Sequence, residues 1–215
     1  MDIKLLHGDC LDLMKDIPDK SIDMILCDLP YGTTDCKWDT IIPFEPLWEQ
    51  YERIIKDNGA ICLFGSEPFS SALRMSNIKN YRYDWIWEKE QGTNQFLCKI
   101  QPLRKTENIS VFYKKQPLYN PQFTKGKAYE EDRVLGCESF GTPKKIKTKN
   151  DGFRYPTNIL RFNRELKKRF HPTQKPVALF EYLIKTYTNE GETVLDNCMG
   201  SGTTGVACVN TNRNF

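Results

Sequence analysis

Apolar residues in the first half of the chain fall into short runs separated by amphipathic stretches. Ile3 to His7 reads as a short strand, and Gly8-Asp9-Cys10 as a turn into a short helix containing Leu11 and Met14. Ile22-Asp23-Met24-Ile25-Leu26-Cys27 has the length and character of a buried strand. After a loop with Trp38, residues Leu47, Tyr51, Ile54 and Ile55 recur at helical spacing, which predicts a helix from Pro46 to Lys56 with Gly59 as its stop. Ala60 to Phe64 predicts a third strand and Tyr83 to Trp87 a fourth. Glu107 to Tyr113 alternates through Ile109, Val111 and Tyr113 as a further strand. Beyond Lys114 the periodicity lapses. Residues 114–157 are rich in Lys, Gly, Pro and Asn and read as a long insertion or small subdomain. Regularity returns with a helix from Pro176 to about Tyr187, whose buried face holds Val177, Phe180, Leu183, Ile184 and Tyr187. Thr193 to Asp196 is another buried strand, followed by a glycine turn and a helix start. Strands alternating with helices predict an α/β fold around a mostly parallel sheet.

Composition adds limits. With 215 residues, 39% of them hydrophobic, the chain can build one domain core with a smaller appendage. No apolar run reaches the 18 or so residues of a membrane span. Met1 to Lys4 lacks the charged and apolar regions of a signal peptide, so a cytoplasmic location is expected. The eight cysteines include no C-x-x-C pair and only two His are present, which argues against zinc and for reduced thiols. Charge is uneven. Lys114 to Arg169 carries 15 Lys and Arg against 6 Asp and Glu, while the whole chain has a net charge of only +3. A basic segment on an acidic body suggests a polyanionic partner, although a lysine-rich solvated loop has the same composition.

Three constellations carry candidate chemistry. Asp28-Leu29-Pro30-Tyr31 follows the second strand, and the carboxyl ends of strands are where open α/β sheets bind ligands. The exocyclic amine of a nucleobase is a poor nucleophile because its lone pair is delocalised into the ring. A carboxylate from Asp28 and the Leu29 carbonyl can accept its two N–H bonds and favour a more nucleophilic nitrogen. Pro30 stiffens the turn and Tyr31 offers a stacking face. The tetrapeptide alone is equally an ordinary strand-end turn with a buried tyrosine. The second constellation, Asp196 to Gly205, places Gly200, Gly202 and Gly205 after a strand and before a helix, where backbone can approach a nucleotide-like ligand. It lacks the G-K-S/T of a phosphate-binding P-loop, and its glycine spacing departs from G-x-G-x-x-G by one position. The third, His171-Pro172-Thr173-Gln174-Lys175-Pro176, leads into the helix from Val177 and by itself reads as a capped helix start.

In this order, tetrapeptide, basic insertion, His-Pro segment and glycine loop, the chain resembles the amino-methylating DNA methyltransferases, which move a methyl group from S-adenosylmethionine to adenine N6 or cytosine N4. The order looks like their permuted β class, and Phe64 to Phe69 and Trp85 to Lys89 look like phage and prophage members. The resemblance covers roughly Ile3 to Phe215. It implies a Rossmann-like methyltransferase sheet, mostly parallel with one antiparallel strand, plus a basic target-recognition insertion. Residues 1–90 would form the catalytic half of the core, 91–163 the insertion, and 164–215 the cofactor-binding half. The resemblance implies catalytic roles for Asp28, Leu29, Pro30 and Tyr31. It implies cofactor contacts for Asp9, Cys10, Asp196, Met199, Gly200 and Gly202. His171, Thr173, Gln174 and Lys175 match the segment closing over the methionine part of the cofactor. Lys144, Lys145, Lys147 and Lys149 would contact the phosphates of double-stranded DNA, without membrane or metal. A homodimer and a restriction partner stay open.

The family's commonest tetrapeptide has Pro where this chain has Leu29, a change that keeps the backbone carbonyl. Asp in its first position leans towards adenine, where Ser leans towards cytosine. The expected reaction is therefore methylation of a flipped adenine at N6, with cytosine N4 and a non-catalytic DNA-binding remnant as alternatives. The family continues past the position of Phe215 into a strand whose acidic residue binds the cofactor ribose. Weak cofactor binding by residues 1–215 alone is the matching expectation.

Overall fold

The computed structural model describes residues 1–36, 39–135, 144–164 and 174–215. Its elements are α1 (Cys10–Leu13), β1 (Ile22–Cys27), α2 (Phe44–Ile54), β2 (Ile55–Gly65), α3 (Phe69–Ser76), β3 (Tyr81–Thr93), β4 (Arg104–Phe112), β5 (Thr124–Lys125), β6 (Tyr129–Leu135), β7 (Lys144–Asn150), β8 (Phe153–Arg154), β9 (Ile159–Arg161), α4 (Val177–Tyr187), β10 (Val194–Leu195) and α5 (Thr203–Asn210). They fall into two compact units, Met1–Asn120 with Asn158–Phe215, and Pro121–Thr157.

The larger unit holds a six-stranded sheet in the order β10-β1-β2-β4-β3-β9. β4 alone runs against the rest, pairing antiparallel with both β2 and β3. The two-residue alternation of strands gives this sheet two buried faces. Met24 and Leu26 of β1, Cys62 and Phe64 of β2, and Ile109 and Val111 of β4 join Leu179, Phe180, Leu183 and Ile184 of α4 in one core. Ile25, Cys27, Ile61 and Leu63 point the other way, towards Leu47, Trp48, Tyr51 and Ile54 of α2. The result is a three-layer α/β/α arrangement, the solution for strands apolar on both faces.

Several expected boundaries move. Gly59 does not stop the helix. α2 ends at Ile54 because Ile55 already pairs with Ile22 of β1, and Gly59 lies inside β2. A Cβ at Gly59 would lie 2.6 Å from Ile55 Cγ1 and 2.8 Å from Asp23 O, so the strand tolerates only glycine there. β3 runs to Thr93, well past Trp87. Ile3 to His7, expected as a strand, forms none. Lys4 N–H donates to Phe215 O and Phe215 N–H to Asp2 O, but Ile3, Leu5 and Leu6 are exposed, so nothing on either face holds a ladder.

The smaller unit is two antiparallel pairs, β5 with β8 and β6 with β7. It is narrower than the expected insertion, 91–163. Residues 91–120 and 158–163 belong to the larger unit, where β4 and β9 complete the sheet. The irregular composition of 114–157 thus conceals two short antiparallel strand pairs whose side chains are mostly exposed.

Candidate active site

β1 delivers Asp28 to the carboxyl edge of the sheet, directly after the buried Cys27. Leu29 is buried and fastens the turn to the α2-side core. Both carboxylate oxygens of Asp28 are engaged. Tyr31 donates its hydroxyl to Oδ1 at 2.6 Å, and Lys175 donates from Nζ to Oδ2 at 2.5 Å. Burial, then the charge of Asp28, pushes the Tyr31 phenol well above its ordinary range, so it stays a donor. Its ring lies 5.1 Å from that of Phe69 at the start of α3. Beyond the tetrapeptide, Gly32 takes a left-handed φ of +66° and the loop folds onto Asp39. The buried Asp39 carboxylate accepts from the N–H groups of Gly32, Thr33 and Thr34 at 2.8–2.9 Å and from the Thr34 hydroxyl at 2.8 Å. Burial alone would raise its pKa, but these donors hold it below the ordinary carboxylate value.

Lys175 stands just ahead of α4, whose N-cap position is Pro176. It reaches towards the tetrapeptide and not solely along the helix start. Its ammonium lies 5.4 Å from the centre of the Phe64 ring and 5.7 Å from that of Tyr31. A second carboxylate, Glu107 of β4, stands 3.5 Å from the same ammonium and takes Lys89 of β3 on its other oxygen at 3.0 Å. Burial pulls the Lys175 ammonium down, but Asp28 and Glu107 outweigh it and raise its pKa. Burial likewise pushes Glu107 up, and the two lysines win and lower it. Glu107 and Lys89 escaped notice in the sequence, yet both break an apolar alternation. Lys89 continues the buried face of Trp85 and Trp87, and Glu107 that of Ile109 and Val111. A charge at a core position needs a partner, and here the partners meet at the sheet edge. Asp39 had no such signal, because its partners are loop amides.

The glycine turn follows β10. Asp196 accepts from Cys198 N–H at 2.9 Å and from the Thr204 hydroxyl of α5. Burial dominates these bonds and raises its pKa to about 6. Asn197 accepts from the buried Tyr51 hydroxyl of α2. Met199 O receives Gly202 N–H at 2.8 Å, and Gly200 and Gly202 adopt φ of +51° and +79°. A Cβ at Gly202 would meet nothing within 4 Å, and one at Gly200 only Cys198 O at 3.9 Å. Among the described residues the turn therefore opens onto free space beside a half-buried carboxylate, the form of a cradle for a cationic nucleotide-like ligand.

Asp9 and Cys10 come to the same place. Asp9 caps α1 by accepting from Leu11 N–H at 2.8 Å, and Cys10 and Cys198 pack against the same α2-side core. Asp28 and Lys175 thus group with Asp9, Cys10, Asp196, Met199, Gly200 and Gly202 along one edge of β1 and β10. His171 and Thr173 lie outside the described residues, and Gln174 is half-buried beside Lys175. The four lysines lie on β7 in the smaller unit, all exposed. Lys145, Lys147 and Lys149 share one face and Lys144 takes the other. The register sets Lys147 opposite Asp132 and Lys149 opposite Glu130, which lowers the positive potential of that face.

Against known proteins, residues 22–215 match the family described as DNA methylase. The chain is 28% identical over 232 residues to the type II methyltransferase M.HpaI of Haemophilus parainfluenzae, covering 99% of this chain and 68% of that one. It is 27% identical to the type II methyltransferase M2.MboI of Moraxella bovis, covering 98% and 80%. Among solved structures, a complex of M1.HpyAVI with SAM superposes with a TM-score of 0.65 at 26% identity, covering 99% of this chain and 91% of that one. The cytosine-N4-specific PvuII DNA methyltransferase gives 0.71 at 14% identity over 100% and 80%, a likeness of fold alone.

Proposed function

This chain belongs to the DNA methylase family of N6 and N4 methyltransferases, and from that premise we propose that it methylates adenine N6 in double-stranded DNA as a member of the permuted β class. The observation that carries the reading is the carboxylate of Asp28, set at the carboxyl edge of β1 on the same side of the sheet as the glycine cradle. The cofactor is S-adenosylmethionine, which supplies an electrophilic methyl group on a sulfonium sulfur. The open turn at Gly200 and Gly202, the half-buried Asp196 and the capped Asp9–Cys10 corner fit such a group, a nucleoside carrying positive charge.

The protein's own residues then act on the base. The target adenine leaves the duplex stack at a cost of a few kcal/mol and enters beside the tetrapeptide. Asp28 and the Leu29 carbonyl accept the two N–H bonds of N6. With both acceptors carried by strand and turn, the nitrogen lone pair is turned out of the ring system and made available for attack. The cofactor at the glycine turn would supply the methyl group, its sulfur–carbon bond giving way to the new nitrogen–carbon bond, and Asp28 and Leu29 would hold the amine that receives it. The nitrogen then loses one proton, for which the Asp28 carboxylate is the adjacent acceptor. Tyr31 keeps the carboxylate aimed by its hydrogen bond and closes the pocket wall against Phe69. The basic smaller unit supplies phosphate contacts, through Lys145, Lys147 and Lys149 on one face.

Transfer of labelled methyl groups to unmodified duplex DNA tests this reading. Asp28→Ala is expected to abolish transfer while DNA affinity stays within a few-fold of the wild type. Retained turnover in that variant would refute the catalytic assignment.

A further inference from the structure

Asp28 already holds a donor on each oxygen before any base amine arrives. Its Oδ2 is taken by an ammonium, at 2.5 Å from Lys175 Nζ, and its Oδ1 by Tyr31. A positive charge on the acceptor withdraws the electron density with which a carboxylate would polarise an amine. The same ammonium has a second carboxylate in view. Glu107 Oε2, 3.5 Å away, is buried and accepts no hydrogen bond, whereas its other oxygen is held by Lys89 at 3.0 Å. A buried carboxylate oxygen left without a donor is costly and rare. This one faces the ammonium that occupies the catalytic acceptor.

We propose that Lys175 is a two-position residue, whose ammonium rests on Asp28 in the free enzyme and passes to Glu107 when the target amine takes its place. The proposal rests on the reading that an exocyclic amine is the substrate. The displacement is small. Closing 3.5 Å to the roughly 2.8 Å of a charge-assisted hydrogen bond takes less than an ångström at Nζ, and it stretches the 2.5 Å contact with Asp28 to at most about 3.2 Å, so that the shorter bond passes to Glu107. The charges balance in both states, since Lys89 and Lys175 face Asp28 and Glu107. Without Glu107 the ammonium would have to be left unpaired in a buried place, which is strongly disfavoured. Lys89 fixes Glu107 by one oxygen and so leaves the other aimed at Lys175. Tyr31 and Phe64 line the path with ring faces that tolerate a passing cation. Glu107 and Lys89 are thus positioning residues: neither touches the base, and both act through Lys175.

The arrangement makes an unusual prediction about double variants. Glu107→Gln traps the ammonium on Asp28 and should lower kcat at least 10-fold. Lys175→Met combined with Glu107→Gln removes the competitor along with its receiver and leaves Asp28 open to the amine. The double variant should therefore turn over at least 5-fold faster than Glu107→Gln alone. The comparison is made at saturating S-adenosylmethionine, with duplex affinity followed by fluorescence anisotropy and folding by thermal melting. DNA affinity should stay within about 3-fold in all variants, so that the loss appears in kcat. A salt bridge with a merely structural role gives a double variant no faster than the worse single one, and that result overturns the proposal. If Glu107→Gln does not fold, Glu107→Asp, one methylene shorter, replaces it in the same comparison. A wild type that transfers no methyl to DNA refutes the functional reading and the proposal together. Wild-type turnover with an unrescued double variant refutes the proposal alone.

Discussion

Replacing Asp196 by Asn should stabilise the protein at neutral pH and not below pH 4. The side chain is half-buried next to the glycine turn, and its pKa is raised from 3.8 to about 6. Burial is the cause, and the bonds from Thr204 and Cys198 only partly offset it. A carboxyl whose folded pKa exceeds its unfolded one binds more protons in the native state. Ionisation therefore favours the unfolded chain, and stability is lost as pH rises from about 4 to about 6. A rise from 3.8 to about 6 corresponds to roughly 3 kcal/mol, of which about 2 kcal/mol develops between pH 4 and pH 7. Asparagine cannot ionise, yet its side-chain oxygen can still accept from Cys198 N–H. Urea denaturation of the wild type and Asp196→Asn at both pH values isolates the effect, because every other titrating group cancels in the difference. The stability of the variant relative to the wild type should rise by about 2 kcal/mol from pH 4 to pH 7. A difference independent of pH would refute the argument. Cofactor affinity should fall in the same variant, since on the reading above the cradle needs this charge.

Other consequences follow from the same structure. Asp39→Ala removes an acceptor shared by four donors and should cost at least about 2 kcal/mol in chemical denaturation. Its depressed pKa means that the stability it adds is present above about pH 4 and is lost as pH falls further, so the gap between wild type and variant should close on acidification. Leu183→Ala opens a cavity in the core between α4 and the sheet and should cost about 2–5 kcal/mol, read as a lower Tm with methyl transfer retained at low temperature. Removing Lys145, Lys147 and Lys149 together should weaken binding to all duplexes alike and flatten the salt dependence of the affinity. An unchanged salt slope would move the phosphate contacts elsewhere.

Much of this molecule was legible from pattern alone. β1, α4 and the helix after the glycine loop stand close to where apolar runs and 3.6-residue spacing put them, because long periodic segments are specified by burial on one or two faces. α3 and β9 were missed. α3 is short and β9 has three residues, and each is stabilised by the sheet it packs on or joins more than by its own sequence. The strand pairs of the smaller unit were hidden by their polarity, since strands exposed on both faces carry no hydrophobic alternation. At the candidate site, the tetrapeptide and the glycine turn were readable as motifs. The network from Lys89 through Glu107 and Lys175 to Asp28 joins residues up to 147 positions apart: the register of β3 with β4 brings Lys89 to Glu107, and the end of β1 and the start of α4 bring Asp28 to Lys175. Its trace in the sequence was a charged residue on each of two otherwise apolar strand faces.

The central claim is that the exocyclic amine of adenine is the group held at Asp28. Incubating the protein with S-adenosylmethionine and unmodified duplex DNA, digesting to nucleosides and separating them by mass spectrometry addresses it directly. The account predicts N6-methyladenine in the wild-type digest and none with Asp28→Ala. N4-methylcytosine as the product, or N6-methyladenine formed equally well by the variant, would contradict it.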